Sequence, residues 1–216
     1  MKYVKLKLFL TIFTSIITCS AQQIPLTSLS TLDLKNAQAE ITTYHGEQAL
    51  KITGNGDAMA VVKNLTFRNG TIDLDVSGTP AKGASEGARG FIGISFRVQA
   101  DGLHHERFYV RPTNGRADDQ LRRNHSTQYV SEPEWPWERL RKESPGVYES
   151  YADMLPGEWL HLRIIVQGTN ASLYVGNAPQ PCLLVRDLKM GEKEGAVALW
   201  IGPGTEGYFR NLKITK

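Results

Sequence analysis

Residues 157–214 decide the fold. They contain Gly157-Glu-Trp-Leu-His-Leu-Arg-Ile-Ile-Val166, Ala171-Ser-Leu-Tyr-Val175, Gly195-Ala-Val-Ala-Leu-Trp-Ile-Gly202 and Gly207-Tyr-Phe-Arg-Asn-Leu-Lys-Ile214. Apolar residues recur at alternate positions or in short continuous runs, and Gly, Pro, Asn and Asp break them. This is the pattern of strands with at least one face in a core. Trp159 follows Pro156-Gly-Glu, opens the first run and reads as a core residue.

Residues 49–53, 59–65, 71–76, 90–99, 107–111, 127–131, 148–152 and 183–188 obey the same rule. About a dozen short strands, with no sustained apolar stripe of helical period, predict an all-β chain. Its architecture is expected to be a two-sheet antiparallel jelly-roll sandwich. Residues 137–142 read as a strand or a helical turn. Residues 37–216 are expected to form one sandwich domain. Residues 22–36 read as a polar segment before an edge, and 82–89 as a flexible loop between two strands.

The chain has 216 residues, 41% hydrophobic and 22% charged, which fits a single domain and excludes wholesale disorder, collagen and coiled coil. The formal charge of +3 comes from residues 1–21, MKYVKLKLFLTIFTSIITCSA, which hold Lys2, Lys5 and Lys7 and no acid. Of 25 Lys+Arg, 22 then face 22 Asp+Glu in the remainder. A neutral remainder excludes a general basic surface for nucleic acid or membrane. Residues 1–21 read as an export signal, a Lys-bearing head followed by an apolar run (8–17) too short to span a bilayer comfortably. Two endings compete. Small residues before Gln22 suit cleavage there. Alternatively Ile16-Ile-Thr-Cys19 resembles a lipobox, with Thr18 where a smaller residue is usual, and Cys19 would carry a lipid anchor. A membrane anchor helix is the third reading. All three place the domain outside the cytoplasm, in the periplasm, at the outer membrane or secreted. Cys182 is left without a partner and reads as a buried structural thiol.

Residues 104–142 carry the chemistry: HHERFYVRPTNGRADDQLRRNHSTQYVSEPEWPWERLRK. They hold 7 of 13 arginines, three of 5 histidines and two of 4 tryptophans. Strand alternation turns Ile92, Ile94, Phe96 and Val98 inward and Gly93, Ser95 and Arg97 outward. It turns Arg107, Tyr109 and Arg111 one way, and Ala196, Ala198 and Trp200 outward. Small residues on that face leave a trough, Trp200 offers a stacking platform, and guanidinium groups bind oxyanions. Arg97, Arg107, Tyr109 and Trp200 are therefore candidate substrate-binding residues. Asn114, Arg116, Gln120, Arg122 and Arg123 join them from the following loop, and Trp135 and Trp137 supply an aromatic wall. The competing reading pairs Arg107 and Arg111 with Glu106, Asp118 and Asp119 along a sheet edge.

His125 and Tyr129 are the catalytic candidates, with Arg111. A base, an acid and a group that neutralises a uronate carboxylate are what a polysaccharide lyase needs. The alternative for His125 is a hydrogen-bonding strut. Glycoside hydrolysis needs two carboxyl groups on one face. Asp73 and Asp75 read as solvent-facing, Glu132 and Glu134 flank Pro133, and Glu206 stands on a Gly-rich loop after Trp200 and joins the binding candidates. No zinc pattern is present, so no cofactor is expected; calcium at Asp118-Asp119 is the alternative, with too few ligands clustered there to claim it.

The C-terminal runs, with Asp187-Leu188 between them, resemble the concanavalin A-like lectin/glucanase superfamily. Within it they are closest to laminin-G-like sandwiches and to the 3-keto-disaccharide hydrolase-like family of exported bacterial proteins. The resemblance covers about residues 37–216, and its motifs are mostly structural. It implies carbohydrate binding or cleavage on the concave sheet. The Glu-x-Asp-x-x-Glu signature of jelly-roll glucanases is absent, as are the Arg-Ser/Thr-Glu-Leu-Arg and Gln-Ile-His motifs of jelly-roll alginate lyases. The expectation is an exported bacterial protein acting on a polysaccharide or oligosaccharide, acidic or sulfated, through an Arg/His/Tyr/Trp groove by lyase- or hydrolase-type cleavage. The alternative is a non-catalytic carbohydrate-binding accessory protein or lipoprotein.

Overall fold

The computed structural model describes residues 21–216. Cys19 and nearly all of the export signal lie outside the described residues. Among the described residues there are thirteen strands: β1 (Ala21–Gln23), β2 (Leu32–Tyr44), β3 (Glu47–Val62), β4 (Gly70–Pro80), β5 (Ile92–Val98), β6 (His105–Val110), β7 (Thr127–Glu132), β8 (Glu149–Ser150), β9 (Leu160–Gln167), β10 (Asn170–Val175), β11 (Leu183–Val185), β12 (Ala196–Ile201) and β13 (Thr205–Thr215). Two short helices, α1 (Gln120–Asn124) and α2 (Trp137–Glu143), flank β7. The hydrogen-bonded path runs β11-β10-β9-β4-β13-β3-β12-β5-β6-β7-β8, with β1 on β13 and β2 on β3.

Strand β3 folds this path into a sandwich. Its residues 50–52 pair with 207–209 of β13, whereas 58–61 pair with 198–201 of β12. Between the two halves, Gly54-Asn-Gly56 bends the strand, and β2 follows with a register shift between Lys35 and Ala37. Asn36 in that shift has φ 51, and a Cβ on Gly54 would come 2.5 Å from the Asn36 carbonyl oxygen. Only glycine fits so close an approach. Strands that cross between sheets at such bends make the corners of sandwiches. Two of the expected strands, 49–53 and 59–65, are thus the two halves of one.

The core lies between the layers. Ile72, Leu74 and Val76 of β4, Leu162, Ile164 and Val166 of β9 and Phe209 of β13 form one wall. Ile92, Ile94 and Phe96 of β5, Phe108 and Val110 of β6 and Leu199 and Ile201 of β12 form the other. Burying such side chains contributes roughly 1.5–3 kcal/mol each.

Two readings are made specific and one is overturned. Residues 22–36 do not stand apart from the domain, because Gln22 pairs with Ile214 and β2 begins at Leu32. Residues 137–142 resolve as helix α2, which buries Leu140. Trp159 is half-buried on the outer face of the β4/β9/β13 sheet, edge-on to Tyr44, with the Arg210 guanidinium 4.3 Å from its ring.

Candidate functional site

Sheet register assembles the site. Paired residues share a face, so Met59, Trp200, Gly93, Tyr109, Gln128 and Glu149 form one row across β3, β12, β5, β6, β7 and β8, on the side away from the core. Ala198, Ser95, Arg107 and Val130 form the next row. Gly93 sits between Tyr109 and Trp200, and a Cβ there would lie 2.2 Å from the Phe108 carbonyl oxygen. Across this gap the Tyr109 and Trp200 rings approach to 5.0 Å.

Arg107 is 3% exposed and lies 4.0 Å from the Trp200 ring centroid. Its Nε donates to Ser95 Oγ at 3.0 Å and its NH2 to His105 Nε2 at 2.7 Å, while its NH1 stands 3.6 Å from Asp57 Oδ2. Burial and the neighbouring Arg107 charge hold the His105 imidazole down at about 3, so it is neutral and accepts at Nε2.

The connection from β7 into α2 closes over this face. It leaves a pocket of about 350 Å³ whose walls are Phe91, Tyr109, Trp137 and Trp200, with Val130, Pro136 and Pro203. Its charged lining is Arg107, Asp57, Glu132 and Glu138. Burial pushes the Glu132 carboxyl up, opposed by the charge of Arg107. Burial also pushes the Tyr109 hydroxyl up to about 12. The indole Nε1 of Trp200 is buried and has no hydrogen-bond partner among the described residues. A larger depression, about 590 Å³, lies at the β2/β3 bend, but Asn36, Gln38, Thr53, Asn55 and the rest of its lining supply neither an aromatic ring nor a charge.

Arg111 adjoins this pocket without lining it. Its NH2 donates to Tyr109 OH at 2.8 Å and to Gln128 Oε1 at 3.2 Å, and its NH1 donates to the His125 carbonyl at 2.9 Å. Asn114 Nδ2 donates to the same carbonyl at 3.2 Å. The His125 Nε2 lies 3.1 Å from Glu149 Oε1, and Arg141 holds the other carboxylate oxygen at 2.7 Å. Burial lowers the His125 pKa. Arg111, Asn114 and His125 therefore do come together, but mainly through the His125 backbone.

Several expected site residues lie elsewhere. Tyr129 shares the core face with Phe108, is fully buried, and donates its hydroxyl proton to Glu106, so it does not share a pocket with His125. Arg97 is turned off the groove face by a bulge, where Ala196 pairs with Val98 but Ala198 pairs with Ser95. Its φ is 54, and its guanidinium donates to the carbonyls of Arg68, Gly168 and Gly191 and to Asn69 Oδ1. Arg116 forms a two-point exposed pair with Asp153, at 2.8 and 2.9 Å. Gln120 bonds Asn124, Arg122 is exposed, and Arg123 bonds Tyr151, all on or beside α1. Trp135 has Arg139 and Lys189 over its ring, at 3.7 and 4.7 Å, and lines a different pocket with His104. Glu206 lies on the other sheet, held by Lys51 at 3.0 Å and by Tyr208 OH at 2.8 Å. Of the expected binding set, Arg107, Tyr109, Trp137 and Trp200 line the pocket.

Alternation along the strands does not mark Asp57 or Glu138 as site residues, yet both line the pocket. Asp57 closes the Gly54–Gly56 bend, and a Gly-Asn-Gly-Asp sequence inside a strand is the one signal that marks it. Glu138 belongs to the first turn of α2. Among the described residues, no three His, Cys, Asp or Glu side chains gather to hold a metal ion, and Asp119 serves as the N-cap of α1. No helix among them is long and apolar enough to cross a membrane.

No protein-family model matches the chain, and comparison with curated proteins gives no match. Solved structures do match. The carbohydrate-binding module CBM66 from Bacillus subtilis superposes with a TM-score of 0.60 at 13% identity, over 85% of this chain and 95% of that one. A Bacillus subtilis protein of unknown function with a galectin-like fold gives 0.58 at 10% identity, over 91% and 94%. The exoplasmic/lumenal domain of VIP36, in its Ca2+/Man3GlcNAc-bound form, gives 0.56 at 8% identity, over 87% and 85%. The fold is therefore that of a concanavalin A-like, galectin-like β-sandwich.

Proposed function

We propose that this protein binds carbohydrate in the pocket between α2 and the β12/β5/β6/β7 face. The observation that carries the reading is the lining itself. Four aromatic side chains and a small set of polar groups converge on about 350 Å³, within the size range of a small-molecule site. Aromatic faces cover the apolar faces of sugar rings, and carboxylates accept from their hydroxyls. The same fold in CBM66 and in glycan-bound VIP36 supports the choice of ligand class by analogy. Export forms part of the proposal and rests on residues 1–21. Titration of the purified protein with a panel of neutral, uronate-rich and sulfated oligosaccharides tests it. Saturable binding, weakened by replacement of Trp137, is the expected result.

Hydrolysis is the second reading, favoured by the placement of Asp57 and Glu132 in one pocket beside Arg107. Glu132, its carboxyl pushed up by burial, is suited to donate a proton to a leaving oxygen, with Asp57 activating water. Release of reducing ends, lost in Glu132→Gln, tests this. The lyase reading loses its acid–base pair, because Tyr129 faces the core and its hydroxyl is committed to Glu106.

A further inference from the structure

The charge of the pocket limits which sugar it takes. Among the described residues Arg107 is its one basic lining residue, and that guanidinium is spent: Nε on Ser95, NH2 on His105, NH1 turned toward Asp57. At 3% exposure it cannot present the two-pronged fork that a carboxylate or sulfate needs. Arg111, the next arginine along the face, has likewise committed its donors to Tyr109, Gln128 and the His125 carbonyl. Three carboxylates remain. Asp57 meets only Arg107, at 3.6 Å, and Glu132 and Glu138 have no ion-pair partner among the described residues. An anionic sugar would enter among like charges without a free cation to receive it.

Two observations independent of the acids point to an occupant. The Trp200 indole Nε1 is buried without a partner in a residue that lines the pocket. Tyr109, 4% exposed, accepts from Arg111, and its own proton has no acceptor among the described residues. A buried donor left unsatisfied costs free energy until a ligand oxygen meets it. Aromatic walls with carboxylates at the rim are also the setting in which a protonated amine is attracted, by ring quadrupoles and by opposite charge together.

Resting on the reading of this pocket as a saccharide site, we infer that its preferred ligand is an amino sugar carrying a free, protonated amine. The sugar ring lies against the aromatic walls, and the ammonium meets Glu132 and its acidic neighbours. The test is calorimetric titration with three oligosaccharide series of equal length at mildly acidic pH: glucosamine oligomers, N-acetylglucosamine oligomers and uronate oligomers. The glucosamine series is expected to bind at least about tenfold tighter than the acetylated one, and the uronate series weakest. Added salt should narrow the difference. Glu132→Gln and Glu138→Gln, each checked for folding by circular dichroism, should bring the ratio of amine to acetylated affinity toward one. Equal affinities, a preference for uronate, or a ratio unchanged by both substitutions overturns the inference and leaves the pocket as a saccharide site. Failure of every oligosaccharide to bind overturns the underlying reading as well.

Discussion

Replacing Arg97 separates a structural arginine from a ligand-binding one. Its side chain is fully buried and donates to three backbone carbonyls and one amide oxygen, at distances from 2.5 to 3.3 Å. These acceptors lie in three connections, before β4 (Arg68, Asn69), after β9 (Gly168) and before β12 (Gly191). Hydrogen bonds to a charged donor are worth roughly 1.5–3 kcal/mol each, but the desolvation of the guanidinium offsets part of their sum. Removing one partner of such a buried set costs about 3–5 kcal/mol, because the carbonyls stay buried without donors. For a domain of this size that is a loss of roughly 6–20 °C in Tm. Arg97→Ala should show it as a fall in the urea midpoint at constant slope. Arg97→Gly should lose about 1 kcal/mol less, since φ 54 is left-handed and strains any residue with a Cβ. Oligosaccharide affinity of the folded variants should not change. A shift in stability below about 0.5 kcal/mol, or a loss of affinity in a fully stable Arg97→Ala, would refute the assignment.

Other outcomes follow from the same geometry. Trp137, 38% exposed at the pocket wall, should cost little stability when replaced by alanine but about 1–2 kcal/mol of saccharide affinity, roughly tenfold, in calorimetric titration. His105 has a folded pKa depressed to about 3, so its contribution is fully present above its unfolded value and is lost as pH falls below about 6.5. Wild type should therefore lose up to about 1.4 kcal/mol per pH unit more than His105→Gln between about pH 6 and pH 4, read from urea midpoints; parallel curves would contradict it. Cys182, its thiol pushed up to about 11 by burial and directed at the Leu173 carbonyl, should resist a thiol reagent in the native protein and react promptly in denaturant.

The sandwich was legible because its strands announce themselves. Alternation along residues 71–76, 160–167 and 196–201 places Ile72, Leu74, Leu162, Ile164, Leu199 and Ile201 in the core, where they are found. Part of the site face was legible for the same reason, since Arg107, Tyr109 and Trp200 were turned one way with Gly93 and Ser95 between them. Arg97 was not, because one extra residue in β5 reverses the parity that the alternation rule assumes. Tyr129 escapes the rule for a different reason. Strands β6 and β7 carry polar residues on both faces, with Glu106, Thr127 and Ser131 buried beside Phe108, so polarity does not say which face is inward. Asp57 and Glu138 reach the pocket through the β3 bend and the packing of α2, long-range events that no local pattern records.

The most direct measurement of the central claim is a titration of the protein, followed by the four tryptophan indole NH resonances, with the oligosaccharide that binds best. The Trp137 and Trp200 signals are expected to move together and saturably, while Trp159, on the opposite sheet, stays fixed. A titration that moves Trp159 or Trp135 and leaves Trp137 and Trp200 in place would contradict it, and so would the absence of any movement across the whole panel.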